Sequence, residues 1–196
     1  TTQTFGYGWG TSTYGSSTWG TASASSAVVL DPGNWSLDNY GQVLVATILN
    51  GKTYTWDAGA TSPRANRAST TTSGFETTNN PTASIMTIVS DRDRHLFHLG
   101  TETTIADSAT QDPMFIRFSN QEDLNTYAPT ATNTAGTFRL DNGNEIRAAI
   151  TGKDYLLILT DTAAYLAQFV GPPFTFSIKL VGTNCGCMGQ HAAVAA

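Results

Sequence analysis

The chain has 196 residues, enough to bury the core of one domain. Charged residues are only 13% of it, about half the usual share of roughly 25%, so Thr, Ser, Asn and Gly must supply most of the polar surface. The net charge of −5 argues against a tight nucleic-acid binder, which needs clustered Lys and Arg to displace counterions; a surface past which DNA slides remains compatible with it.

Residues 1–26 are low in complexity, with Gly and aromatic residues alternating in Gly6-Tyr-Gly-Trp-Gly10 and again at Tyr14-Gly15 and Trp19-Gly20. Such a segment buries little aliphatic surface, and its glycines are costly to order. It reads as an extended arm whose aromatics anchor on a neighbouring subunit. The alternating glycines do not follow a strand or open a helix, so they make no phosphate cradle.

From Ala27 to Ala196 the pattern is one of short strands, and the fold class is all-β with antiparallel meanders. Trp35–Asn39 leads into a turn at Tyr40-Gly41. Val43–Leu49 and Lys52–Trp56 are strands joined by a hairpin turn at Asn50-Gly51. Residues 57–83 are loop-like, and a loop of that length is usually functional or contact-making. Ile85–Ser90 and His95–Leu99 flank the charged turn Asp91-Arg-Asp-Arg94, in which local ion pairing is expected. Met114–Ser119 is a strand, Asn120–Ala135 a polar loop, and Phe138–Leu140 a short strand before the turn Asp141-Asn-Gly143. Glu145–Thr151, Tyr155–Thr160 and Ala164–Val170 form a meander, stopped by Gly171-Pro-Pro173 and followed by Phe174–Val181.

Val43–Trp56, Ile85–Leu99 and Ile146–Thr160 share one grammar of apolar strand, turn and apolar strand. Their spacings of roughly 40 and 60 residues suit the blades of a β-propeller with uneven loops; a β-sandwich is the alternative. Asn133–Phe169 reads as one such blade-like unit, with Asn133–Gly136 fixing the approach to it and Leu157 buried within it. About three blades cannot close a ring alone. With no Met at Thr1 and an unfinished-looking end at His191–Ala196, the chain reads as a fragment.

Catalytic signals are weak. Ser119–Tyr127 resembles a degraded Asp-box, with Gln121 and Tyr127 in the places of the Asp and Trp and the Gly missing. Even a complete Asp-box is mainly a structural turn. Glycoside hydrolysis needs paired carboxylates; Glu122 and Asp123 are adjacent and should diverge, while Asp57, Glu145 and Asp161 sit at strand ends, where polar residues are routine. His95 and His98, three apart on a strand, should lie on opposite faces. Cys185, Cys187 and His191 are an incomplete set for structural zinc. There is no Gly-X-Ser-X-Gly elbow and no P-loop. No run of about 18 apolar residues offers a membrane span. No catalytic residue, cofactor or metal ligand is assigned.

The phrases Trp35-Ser-Leu-Asp-Asn-Tyr-Gly41, Gly51-Lys-Thr-Tyr-Thr-Trp-Asp57, Asp93-Arg-His95, Asp112-Pro-Met-Phe-Ile-Arg-Phe-Ser119, Asn133-Thr-Ala-Gly136, Thr160-Asp-Thr-Ala-Ala-Tyr165, Phe169-Val-Gly-Pro-Pro-Phe174 and Gly182-Thr-Asn-Cys-Gly186 follow one another along the chain. In this order they resemble the propeller region of tailed-bacteriophage tail proteins of the nozzle or tail-hub type. The resemblance implies a non-enzymatic virion component. It would form a ring around the DNA exit channel, commonly a hexamer in short-tailed phages. Its implied partners are the adaptor or portal-side ring and the tail fibres or spikes, with DNA passing without tight binding. A glycan-binding or sialidase-like propeller and an extracellular adhesin or scaffold are the alternatives.

Overall fold

The computed structural model describes residues 33–57, 80–90 and 92–194, and the described strands all fall in the unit Trp35–Ala196. The arm 1–26 and most of the loop 57–83 lie outside the described residues. The described part is all-β: eleven strands in three antiparallel sheets. Its helical content is a single turn at Ser108–Thr110, capped by the Asp107 carboxylate on the Ala109 N–H. No described helix is long and apolar enough to cross a membrane.

Each sheet is a meander whose strands pair in chain order. The first contains β1 (Trp35–Tyr40), β2 (Val43–Ile48) and β3 (Thr53–Asp57). The second contains β4 (Met86–Ser90), β5 (His95–Leu99), β6 (Phe115–Phe118) and β7 (Gly136–Arg139). The third contains β8 (Ile146–Thr151), β9 (Leu156–Thr160), β10 (Ala163–Gly171) and β11 (Thr175–Thr183). The hairpins expected around Asn50-Gly51 and the 91–94 turn are present. At the former, Asn50 rather than Gly51 takes the left-handed conformation, with φ +54°.

Two readings are corrected. The Asn133–Phe169 stretch is divided between sheets: β7 pairs with β6 and closes the second sheet, while β8 opens the third. The three hairpins are also out of phase. Val43–Trp56 supplies the second and third strands of its sheet, whereas Ile85–Leu99 and Ile146–Thr160 supply first and second strands.

The second sheet is covered on both faces, which is why every residue of His95–Leu99 is buried. Strand alternation sends Met86, Ile88, Phe97, Leu99, Ile116 and Phe118 towards the third sheet, where they pack with Leu156, Ile158, Tyr165 and Ala167. Val89 and Leu96 face the other way and pack with Tyr40 and Val45 of the first sheet and Leu124 and Tyr127 of the β6–β7 loop. Leu157 belongs to neither cluster and is half-buried; Leu156 and Ile158 beside it are the buried aliphatic residues of β9. A one-residue offset reverses which face a strand side chain meets.

Hydrogen bonds tie the sheets along their first strands. Asp38 Oδ2 accepts from the Val89 N–H at 2.7 Å, and Ser36 Oγ from the Thr87 N–H at 3.1 Å. On the other side Thr151 Oγ1 donates to the Val89 carbonyl at 3.1 Å. A buried ladder of hydroxyls, Thr53–Thr47–Thr87, with separations of 2.7 and 2.8 Å, adds a second link between the first and second sheets. The contacts to Thr87 and Val89 satisfy edge atoms of β4 that no strand pairs, so each avoids the cost of a buried unpaired amide.

Candidate functional site

Because every connection within a sheet reverses direction, the β1–β2 turn, the 91–94 turn and the β6–β7 loop emerge at one end of the stack. They enclose an open cleft of about 470 Å³, bordered by Tyr40, Gln42, Asp57, Arg94, Glu122 and Asp123. The Arg94 guanidinium lies 5.1 Å from the centre of the Tyr40 ring, a separation suited to cation–π attraction. The Tyr40 hydroxyl donates to the Arg94 carbonyl at 2.9 Å, and the Glu122 N–H donates to the same oxygen at 3.0 Å. Gly41 has φ +66°, a conformation that favours glycine, and a Cβ there would meet only the movable end of Arg94, 2.7 Å away at Nη2.

Arg94 and Glu122 both adopt positive φ, +50° and +56°. Such non-glycine conformations cost energy and tend to gather where a site is held in shape. Burial pushes the Tyr40 phenol up to about 12 despite the nearby Arg94 charge. Tyr40 is therefore a neutral hydrogen-bonding wall and no base at neutral pH.

Glu122 and Asp123, expected to diverge, both border the cleft. The Asp123 carboxylate is engaged in the turn, accepting from the Asn125 N–H at 2.8 Å and Thr126 Oγ1 at 2.6 Å. The Ser119–Tyr127 segment is thus a built turn. The Ser119 hydroxyl accepts from the Leu96 N–H at 2.9 Å, and Tyr127 is buried at 1% exposure in the position where the motif wants an aromatic anchor. The Asn133–Thr134 phrase holds this loop from the other side. Asn120 Oδ1 accepts from the Thr134 N–H at 2.9 Å, and Thr134 Oγ1 accepts from the Gln121 N–H at 2.8 Å.

Beneath the loop lies a buried polar network that no motif announces. Ser84 Oγ stands 2.9 Å from His98 Nδ1, and His98 Nε2 stands 3.3 Å from the Tyr127 hydroxyl. Ser84 and His98 are wholly buried, and burial depresses His98 to about 3, helped by the Arg117 charge. A sealed serine cannot meet a substrate, so this chain of contacts is structural. Arg117 is 4% exposed and donates to the carbonyls of Tyr127, Glu102 and Thr103 at 3.3, 3.2 and 2.8 Å. Glu102, also buried, accepts from the Thr82 N–H at 2.8 Å and the Asp107 N–H at 3.1 Å, and from the Thr82 hydroxyl. Together these two residues fasten the 101–111 loop and the 119–127 turn to the second sheet.

The remaining candidates are dispersed. His95 and His98 do lie on opposite faces: His95 packs against the rings of Phe118, Phe169 and Phe176, at 5.0 to 6.3 Å, and His98 against Tyr127. In the charged turn Asp91 lies outside the described residues; Arg92 pairs with the distant Asp154 at 2.9 Å, and Asp93 is buried, its carboxyl raised by desolvation. Asp161 accepts from the backbone and side chain of Asn144, both at 2.8 Å, closing the turn beside β8. Glu145 pairs with Arg147 at 3.0 Å. Cys185 is exposed and unpaired with Cys187. Among the described residues no three His, Cys, Asp or Glu side chains converge as a metal would require.

The cleft therefore offers one guanidinium, an aromatic wall and acidic rims. Among the described residues that border it, none is a nucleophile paired with a base. In comparison with known proteins, the chain matches no family model and no curated sequence.

Proposed function

We propose that this chain is a structural component of a bacteriophage tail, in which its three sheets are successive blades of a β-propeller of the nozzle or tail-hub type. The observation that carries the blade reading is the joining of successive sheets along their first strands, through Ser36, Asp38 and Thr151 on either side of β4. Meanders of up to four strands, stacked face to face with the first strand of each innermost, are the arrangement of propeller blades. The tail assignment rests on the ordered phrases between Trp35 and Gly186 that resemble tail proteins.

In this reading the chain is not an enzyme. It forms a homo-oligomeric ring, with six copies as the expected number, around the DNA exit channel. It meets the adaptor or portal-side ring on one side and fibres or spikes on the other. Low charge and Thr-rich loops suit lasting contacts with neighbouring particle proteins and transient passage of DNA. Electron microscopy and mass analysis of purified particles should find the chain in a ring at the tail. A chain recovered only as free monomer and absent from particles would sink the proposal.

A second reading, a glycan-binding propeller, is favoured by the cleft in which Arg94 stacks on Tyr40 beside the Asp-box-like turn. A glycan array with the native chain and the Arg94→Ala variant tests it. Binding that the variant loses supports this reading, and no binding by either chain removes it.

A further inference from the structure

β11 ends at Thr183, and Asn184 turns the chain in the left-handed conformation, with φ +58°. The residues that follow lie along the β9–β10 turn. The Cys185 N–H donates to the Thr162 carbonyl at 3.1 Å, and the Cys187 N–H to the Thr160 carbonyl at 2.9 Å. Amides two residues apart that meet one neighbouring segment mark an extended backbone, so both cysteine side chains leave it on the same face. Gly186 between them is pressed against the turn, where a Cβ would collide with the Asp161 carbonyl. Cys185 is exposed, with its sulfur over Gly182; Cys187 is partly buried, and its thiol donates to the Gly189 carbonyl at 3.3 Å.

We propose that Cys185-Gly186-Cys187 is a thiol–disulfide exchange site, which takes small disulfides of the glutathione type and closes to a Cys185–Cys187 disulfide. The exposed Cys185 thiolate attacks one sulfur of the small disulfide, forming a mixed disulfide and releasing one small thiolate. The Cys187 thiolate then attacks the Cys185 sulfur and expels the second. The protein pair has lost two protons and two electrons, and the small disulfide has become two thiols.

The fold sets the direction in which this couple leans. An extended backbone rises about 3.3 Å per residue, so the two same-face Cβ atoms stand about 6.6 Å apart. A disulfide needs them about 3.5–4.5 Å apart. Closure must bend the chain at Gly186 and release at least one of the two amide bonds to the turn. The native hydrogen bonds therefore favour the dithiol. The disulfide is strained and exposed, which makes it an exchanging bridge and not a structural one. Glycine serves both forms: it fits under the Asp161 carbonyl in the reduced chain, and it bends most freely in the oxidised one.

The test incubates the whole reduced chain with oxidised glutathione and follows intact mass and amide hydrogen exchange. The expected product is lighter than the dithiol by two hydrogen atoms, carries no glutathione, and exchanges faster at Cys185 or Cys187. Glutathione buffers that leave structural disulfides intact should reopen it. Cys187→Ser should stop at the mixed disulfide, with one glutathione held on Cys185. Cys185→Ser should react about tenfold more slowly or less, because its remaining thiol is partly buried.

A native chain that does not react, or that keeps glutathione without closing, overturns the proposal. So does one that cross-links to a second copy through these cysteines. Closure without faster exchange at either amide, or a disulfide that resists the reducing buffer, removes the strained couple. Equal rates for the two serine variants remove the assigned order of attack.

Discussion

Gly136 shows how closely single positions are specified. A Cβ there would come within 2.3 Å of the Phe118 ring, and that ring is fixed by His95, Phe97 and Phe176 around it. Gly136→Ala should destabilise the fold by about 1–3 kcal/mol through overpacking, read from the denaturation midpoint. The two buried histidines make a second residue-scale prediction. Burial lowers His95 to about 4 and His98 to about 3, so the folded chain holds both neutral while the unfolded chain protonates them near 6.5. Their stabilising contribution is complete above that pH. It falls as pH drops towards 4, by at most about 1.4 kcal/mol per unit for each histidine. Melting temperature followed across that window should fall, and His98→Gln should flatten part of the slope. The opposed faces of His95 and His98 were legible from strand alternation. The Ser84–His98–Tyr127 network was not, because its members are 14 and 29 residues apart and meet only once the loops are placed.

At the scale of elements, strand runs were readable wherever apolar residues dominate. His95–Leu99 appears with its expected bounds, and β8 to β11 depart from theirs by one or two residues. Trp35–Tyr40 was the hard case. Ser36, Asp38 and Asn39 make it look like an approach to a turn, yet Ser36 and Asp38 are there to bond the neighbouring sheet. Missing that strand put the Val43–Trp56 hairpin out of phase with the other two. Asp38→Ala should leave the Val89 N–H without its acceptor and cost about 1–3 kcal/mol. The β9 strand supplies a sharper contrast. Ile158→Ala should cost about 2–5 kcal/mol, as for other buried aliphatic truncations. Leu157→Ala should cost clearly less in the isolated chain. Equal losses at the two positions would contradict the facing assigned to this strand.

For the whole molecule, the all-β class and the meander order were legible because short apolar runs, turn residues and low charge all point the same way. The cleft was not, since it is assembled by three loops from two sheets whose approach depends on packing. The interior polar links are also of an unusual kind for a structure this dependent on them. Among the described residues Thr47, Thr53, Thr87, Ser36 and Thr151 join the sheets as neutral hydroxyls, beside the Asp38 carboxylate on the Val89 N–H. The ion pairs Arg92–Asp154, Arg139–Asp112 and Arg147–Glu145 all lie at the surface, where each is worth about 0–1 kcal/mol. Dissolved ions screen charges and leave hydroxyl bonds largely untouched. The threonine ladder thus makes cohesion between sheets indifferent to ionic strength: the melting midpoint should hold nearly constant from dilute buffer to molar sodium chloride, a tolerance that a fold stapled by salt bridges would lack.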